Sequence, residues 1–291
     1  MEFGFFFRKT MIVEKIINNN VLSAIDGKNR EIVVSGRGIA FKKRPGDQVD
    51  ESKIEKVYVL SDEAEVDRFS ELLKHLPMEH LNVSTEIIEY AQQVIRSPLS
   101  PSIYITLTDH VNFVVERFQK GMMFQNALLE EVKNFYPSEY LIGEYAIVLL
   151  QKKLGVNLPE DEAASIALHF VNAEYNTNMN NTMNITNLIK EVLYIVEQEF
   201  DVHLNELGLY YSRFVTHLKF LAQRIFTGQL LDSQEEEFIV MIERMYSREY
   251  ECSRKIRDYI RTRYEQEITD EELAYLTVHI RRIQPNIKED E

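Results

Sequence analysis

The sequence predicts a multidomain protein: a small all-β domain at the N-terminus, followed by two homologous all-α helical bundles. Three observations predict it. Five of the ten glycines fall in the first 60 residues, among β-branched runs and turn signals. From Ser61 onward glycine is rare, and apolar residues recur at spacings of three and four. Within that helical part the chain repeats itself, so one long bundle gives way to two similar ones.

The β part comes first. "MIVEKIINNN" and "VLSAID" are rich in β-branched residues, "DGKN" at 26–29 is a turn, and "REIVVS" resumes the strand pattern. "FKKRPGDQVD" is a loop turning at Pro45-Gly46-Asp47, and "KIEKVYVL" closes the segment with alternating apolar positions. These runs suit a small antiparallel sheet over 11–60.

Amphipathic helices follow in "DEAEVDRFSELLKHL", "YITLTDHVNFVVERF" and "EYAIVLLQKKL", with Pro77, Pro98, Pro101 and Pro137 between such runs. Residues 135–170 align without a gap on 245–280. Tyr136, Glu139, Tyr140, Glu162, Ala164 and His169 meet Tyr246, Glu249, Tyr250, Glu272, Ala274 and His279. Upstream, "DHVNFVVERF" lies over "THLKFLAQRI", so that His110 meets His217, Phe113 meets Phe220 and Arg117 meets Arg224. The asparagine-rich "NTNMNNTMN" at 176–184 stands where a linker between repeats belongs.

Composition narrows the chemistry. With 291 residues, 45% of them hydrophobic, a sizeable core is available. The single cysteine, Cys252, excludes an intrachain disulfide framework and a Cys-rich zinc site, and a reducing compartment is its simplest home. No apolar run approaches the roughly 18 residues of a membrane helix. "MEFGFFFRKT" is too short in its apolar part, and wrongly charged, for a signal peptide. It reads as an extension over 1–10, with Met11 an alternative start. The net charge of −14 is unevenly placed: residues 1–60 hold 11 Lys+Arg against 8 Asp+Glu, and the rest hold 22 against 39. An anionic partner would therefore meet the N-terminal segment.

The four repeat-matched histidines are either satisfied in place or chemically used. No His-x-x-x-His or Glu-x-x-His pair offers a helix-borne metal site, and neither a Gly-x-Ser-x-Gly elbow nor a phosphate-binding Gly-Lys loop is present. No cofactor and no catalytic residue are expected. A neutral imidazole can, however, accept a phosphoryl group near neutral pH. Asp109 either orients His110 or is a surface carboxylate. Arg117 and Arg224, two turns beyond their histidines, either attract phosphate or make ordinary salt bridges.

"NNNV" followed by "VVSGRGIAFKKRPGDQVD" closely resembles the RNA-binding co-antiterminator domain of BglG/SacY/LicT-type bacterial transcriptional antiterminators, and the repeats resemble that family's two phosphotransferase-system (PTS) regulation domains. The resemblance implies an RNA-binding domain over 11–66 built as a dimeric four-stranded sheet. Regulation domains would follow over 67–175 and 185–291, joined by a linker at 176–184. It implies a cytoplasmic homodimer that clamps a leader-mRNA hairpin and prevents termination ahead of a sugar-utilisation operon. RNA contacts carry over onto Asn20, Gly36, Arg37 and Phe41, with Lys15 at a phosphate. Phosphorylation carries over onto His110, His169, His217 and His279, with the phosphocarrier HPr and a sugar-specific PTS permease component as donors. The chemistry fits, since single-stranded bases need a stacking ring and a fork of donors. Without the resemblance, "SGRGIAF" reads first as a glycine turn with a solvated arginine and a core phenylalanine. The alternative is a PTS-regulated helical sensor acting through protein contacts or a metal site.

Overall fold

The computed structural model describes residues 11–122, 124–231 and 236–283. The expected extension over 1–10 lies outside them. Four strands come first: β1 (Ile12–Asn18), β2 (Val21–Ile25), β3 (Glu31–Ser35) and β4 (Lys56–Tyr58). They form one antiparallel meander in the order β1-β2-β3-β4. The β2–β3 turn is built on Asp26. Its Oδ1 accepts from the Lys28 and Arg30 amides at 2.8 and 3.0 Å, and its Oδ2 accepts from the Arg30 guanidinium. β4 is shorter than its apolar alternation suggests, because Glu51–Lys53 ahead of it forms a 3-10 turn instead.

The helices are α1 (Glu63–His75), α2 (Met78–Val94), α3 (Ile103–Gln119), α4 (Leu129–Phe135), α5 (Pro137–Leu154), α6 (Glu160–Tyr175), α7 (Met179–Phe200), α8 (Leu209–Thr227), α9 (Glu236–Met245), α10 (Ser247–Tyr264) and α11 (Asp270–Ile283). Local signals set their ends. Asp62 caps α1 by accepting from the Glu65 amide, while the Glu65 carboxylate reaches back to Ser61 N–H. Pro137 opens α5, where its missing N–H costs nothing. The asparagine-rich stretch is already helical from Met179, with the Asn178 side chain accepting from Asn181 N–H. No helix among the described residues is long and apolar enough to cross a membrane.

The fold divides into two compact units, described separately. The first runs to Ala127 and resumes over Ser138–Asn176; the second comprises Leu128–Pro137 and the chain from Thr177. The short helix α4 thus belongs with α7, against which it packs. In the first unit the sheet is covered on both faces. Leu22, Ala24, Ile32 and Val34 face the chain's own 39–49 segment through Ile39, Ala40 and Val49. Val21, Val33 and Tyr58 face α1 through Phe69 and Leu73. Tyr58 meets the rings of Phe69 and Tyr104 edge-on at 5.3 and 5.2 Å, and its hydroxyl lies 3.1 Å from Thr85 Oγ1. The sheet is thereby fixed to α1, α2 and α3 together. Two-sided burial explains why β2 and β3 read as nearly continuous apolar runs.

Candidate functional site

Each asparagine of "NNN" has a structural task. Asn18 Nδ2 donates to Leu73 O of α1, and its Oδ1 accepts from Asn20 N–H. The Asn19 carbonyl accepts from Ala40 N–H at 3.2 Å. The Asn20 carbonyl accepts from Gly36 N–H at 2.9 Å, and its side-chain Oδ1 accepts from Gly38 N–H at 2.8 Å. The β1–β2 turn therefore holds the loop after β3 in place.

The two glycines of that loop serve different ends. Gly36 is buried, and a Cβ there would lie 1.8 Å from Lys53 O, so the close approach is to the chain's own backbone. Gly38 has φ +65 with open space around it and supplies the left-handed turn. Between them Arg37 is exposed. Its N–H donates to Glu55 Oε1 at 3.3 Å, while its guanidinium has no partner among the described residues. Phe41 leaves 60% of its surface in solvent, so it is not the core residue a plain glycine turn would carry. The Lys42 ammonium stands 5.4 Å from the centre of its ring. Gly36, Arg37 and Phe41 therefore lie on one loop, and Asn20 of the β1–β2 turn braces it. Lys15 lies on β1, where it bonds Asp67 of α1 at 2.9 Å and stands 3.8 Å from Glu31. Those two carboxylates push the Lys15 ammonium above its ordinary range, the hydrogen bond to Asp67 most of all.

The repeat-matched histidines come together in pairs. In the first unit His110 of α3 and His169 of α6 have ring centres 4.6 Å apart. In the second, His217 of α8 and His279 of α11 stack at 4.1 Å with ring planes 20° apart. Burial holds His169 well below the ordinary histidine range, helped by the neighbouring His110. Burial, His279 and Arg224 together push His217 down to about 3. His279 is lowered too, by burial and then by Arg282.

Beside each pair lies an ion pair that also joins repeat-matched residues. Arg117 of α3 bonds Glu162 of α6, whose side chain is 1% exposed. Arg224 of α8 grips Glu272 of α11, 0% exposed, with Nε–Oε1 and Nη2–Oε2 both 2.7 Å. The arginines thus take the salt-bridge role. Asp109 is exposed and is not among the partners of His110; the carboxylate facing that ring is Glu162. Glu162 and Glu272 went unassigned in the sequence, because a carboxylate in the first turn of a helix reads as a dipole partner. Their repeat match was the signal available. α6 reaches its place because Gly143 of α5 lets it close in: a Cβ on Gly143 would sit 2.0 Å from Ala163 O. Among the described residues no group of three or more His, Cys, Asp or Glu is arranged to hold a metal ion.

Comparison with known proteins adds to this geometry. Residues 11–67 match the CAT RNA binding domain family, and residues 85–173 and 190–283 each match the PRD domain family. The chain is 48% identical over 273 residues to the transcription antiterminator LicT of Bacillus subtilis, covering 94% of this chain and 99% of that protein. It is 41% identical over 279 residues to the beta-glucoside operon antiterminator of Dickeya chrysanthemi, covering 96% and 99%. The crystal structure of GlcT CAT-PRDI superposes with a TM-score of 0.51 at 35% identity, covering 57% of this chain and 99% of that one.

Proposed function

The chain belongs to the BglG/LicT family of transcription antiterminators, regulatory RNA-binding proteins with a CAT domain and two PRD regulation domains, and from that membership we propose that it binds a hairpin in a leader mRNA and so prevents termination ahead of a sugar-utilisation operon. The observation that carries the reading is the loop after β3. It presents an unpartnered arginine fork and a largely bare aromatic ring a few residues apart, on a scaffold tied down by Asn20. Splayed RNA bases are recognised by stacking on such rings and by donors that reach base edges or phosphates.

In this reading Arg37 and Phe41 touch RNA. Asn20 and Gly36 act at the same interface by fixing the loop's backbone. Lys15 takes a phosphate in exchange for Asp67. The RNA-binding domain works as a symmetric homodimer in the cytoplasm. His110 and His169 are phosphorylated by a sugar-specific PTS permease component, and His217 and His279 by the phosphocarrier HPr. A phosphate adds about −1.5 to −2 charge, which apposed bundles would have to accommodate or part.

Transcription in vitro from a template with a leader terminator tests the function. The wild-type chain raises read-through and Arg37→Ala does not. Equal read-through with and without the wild-type chain would overturn the proposal.

A further inference from the structure

Around the first histidine pair, His110 Nε2, His169 Nδ1 and Glu162 Oε2 are buried without a hydrogen-bond partner, and the first and last of them face each other. His110 Nε2 and Glu162 Oε2 are 3.4 Å apart, each sealed from solvent. Buried orphan atoms are rare in folded proteins, and a facing donor and acceptor resolve each other with a small movement. Arg117 already holds the other oxygen, Oε1, so Glu162 is anchored with Oε2 directed at the ring. The His110 side chain keeps 17% of its surface exposed although Nε2 is sealed, and Nδ1 is its other ring nitrogen.

We propose that Glu162 is the positioning residue of the first histidine pair: its Oε2 keeps the His110 ring proton on Nε2 and leaves the Nδ1 lone pair to take a phosphoryl group. The inference rests on the reading of His110 as a phosphoryl acceptor and names the atom and the orienting group. A carboxylate behind one ring nitrogen fixes the tautomer and stabilises positive charge on the ring. With phosphoramidate as donor, the phosphorus–nitrogen bond of the donor breaks as the Nδ1–phosphorus bond forms, and its nitrogen leaves with the electron pair and takes up a proton as ammonia. The product ring is positive, with Nε2–H directed at Glu162. His169 stays neutral alongside and adds no opposing charge.

The second pair is built differently. Arg224 occupies both oxygens of Glu272, and Leu231 N–H adds a further bond to Oε1 at 3.2 Å, so that carboxylate is already satisfied. His217 Nε2 is buried with no partner. The two repeats share residues but differ in what stands behind the acceptor ring.

The test uses the full chain with 15N-labelled histidine and potassium phosphoramidate, which donates to imidazole without any protein partner. Nitrogen spectra should place the His110 proton on Nε2, with the signal assigned by its loss in His110→Ala. Phosphorus–nitrogen correlation should place the phosphoryl group on Nδ1. Glu162→Gln should mix the tautomers and slow labelling of His110 by roughly tenfold, as loss of an orienting partner does; Glu162→Asp should restore part of the rate. A proton on Nδ1, a phosphoryl group on Nε2, or no labelling of His110 in the wild-type chain would overturn the inference. Both wild-type readouts decide the matter even if Glu162→Gln fails to fold. Labelling of Nδ1 by phosphoramidate but of no histidine by phosphorylated HPr or permease component would support Glu162 and overturn the proposed donors.

Discussion

Arg224 closes two donors on the Glu272 carboxylate, Nε on Oε1 and Nη2 on Oε2, beneath a residue pair that the repeat also matches. The pair spans α8 and α11, and Glu272 is wholly buried. Removing the arginine leaves a buried charge uncompensated, which costs about 3–5 kcal/mol. Arg224→Ala should therefore lower the unfolding free energy of the second unit, read from urea denaturation, by that amount. A shift under about 1 kcal/mol, the range of a surface ion pair, would show that the pair is not sealed.

The second histidine pair makes stability depend on pH. With the folded value of His217 near 3 and an ordinary value of 6.5, the unfolded chain binds a proton that the folded chain refuses between those limits. Stability is therefore full above about pH 6.5 and falls as pH drops towards 3. Each such histidine contributes a slope of at most about 1.4 kcal/mol per pH unit. Denaturation at pH 7 and at pH 5.5 should show wild type losing more stability than His217→Gln. Equal losses would mean that the ring is solvated.

Loop side chains and loop backbone should separate cleanly. Arg37→Ala and Phe41→Ala each remove an exposed side chain, so they should leave the melting temperature unchanged. Each should weaken hairpin binding by about 1–3 kcal/mol. Asn20→Ala loses the bond to Gly38 N–H, so it should lower both affinity and stability, by about 1 kcal/mol for the latter. Calorimetry beside an RNA titration checks the split.

The two glycines should fail for different reasons. Gly36→Ala forces a Cβ onto Lys53 O and should destabilise the sheet by about 1–3 kcal/mol or more. Gly38→Ala meets no atom but must keep φ +65, a strain of about 1–2 kcal/mol. Gly38→Asn, which tolerates that conformation, should recover most of the loss, while no substitution at Gly36 should. Chemical denaturation of the three variants distinguishes them.

Much of this was legible in the sequence. Turn chemistry at "DGKN" and "PGD", β-branched runs and three-four spacing placed the sheet and the helices, because those signals act locally. Self-comparison paired His110 with His217 and His169 with His279. Long-range packing was not legible. Gly36 reads as an RNA contact, and only the position of Lys53 shows that a side chain there has no room. The exposed Asp109 sits next to His110 in sequence, yet the carboxylate at the ring is Glu162, more than fifty positions away and brought in by the Gly143–Ala163 contact. The affiliation of α4 with α7 likewise depends on packing that no local pattern encodes.

The most direct measurement is a gel-shift titration of the full chain against a bulged RNA hairpin, DNA of the same sequence and an unrelated RNA, with Arg37→Ala alongside. The account predicts selective hairpin binding that Arg37→Ala weakens by about 1–3 kcal/mol. Equal, weak binding to all three nucleic acids, fading with salt as a purely electrostatic contact does, would contradict it.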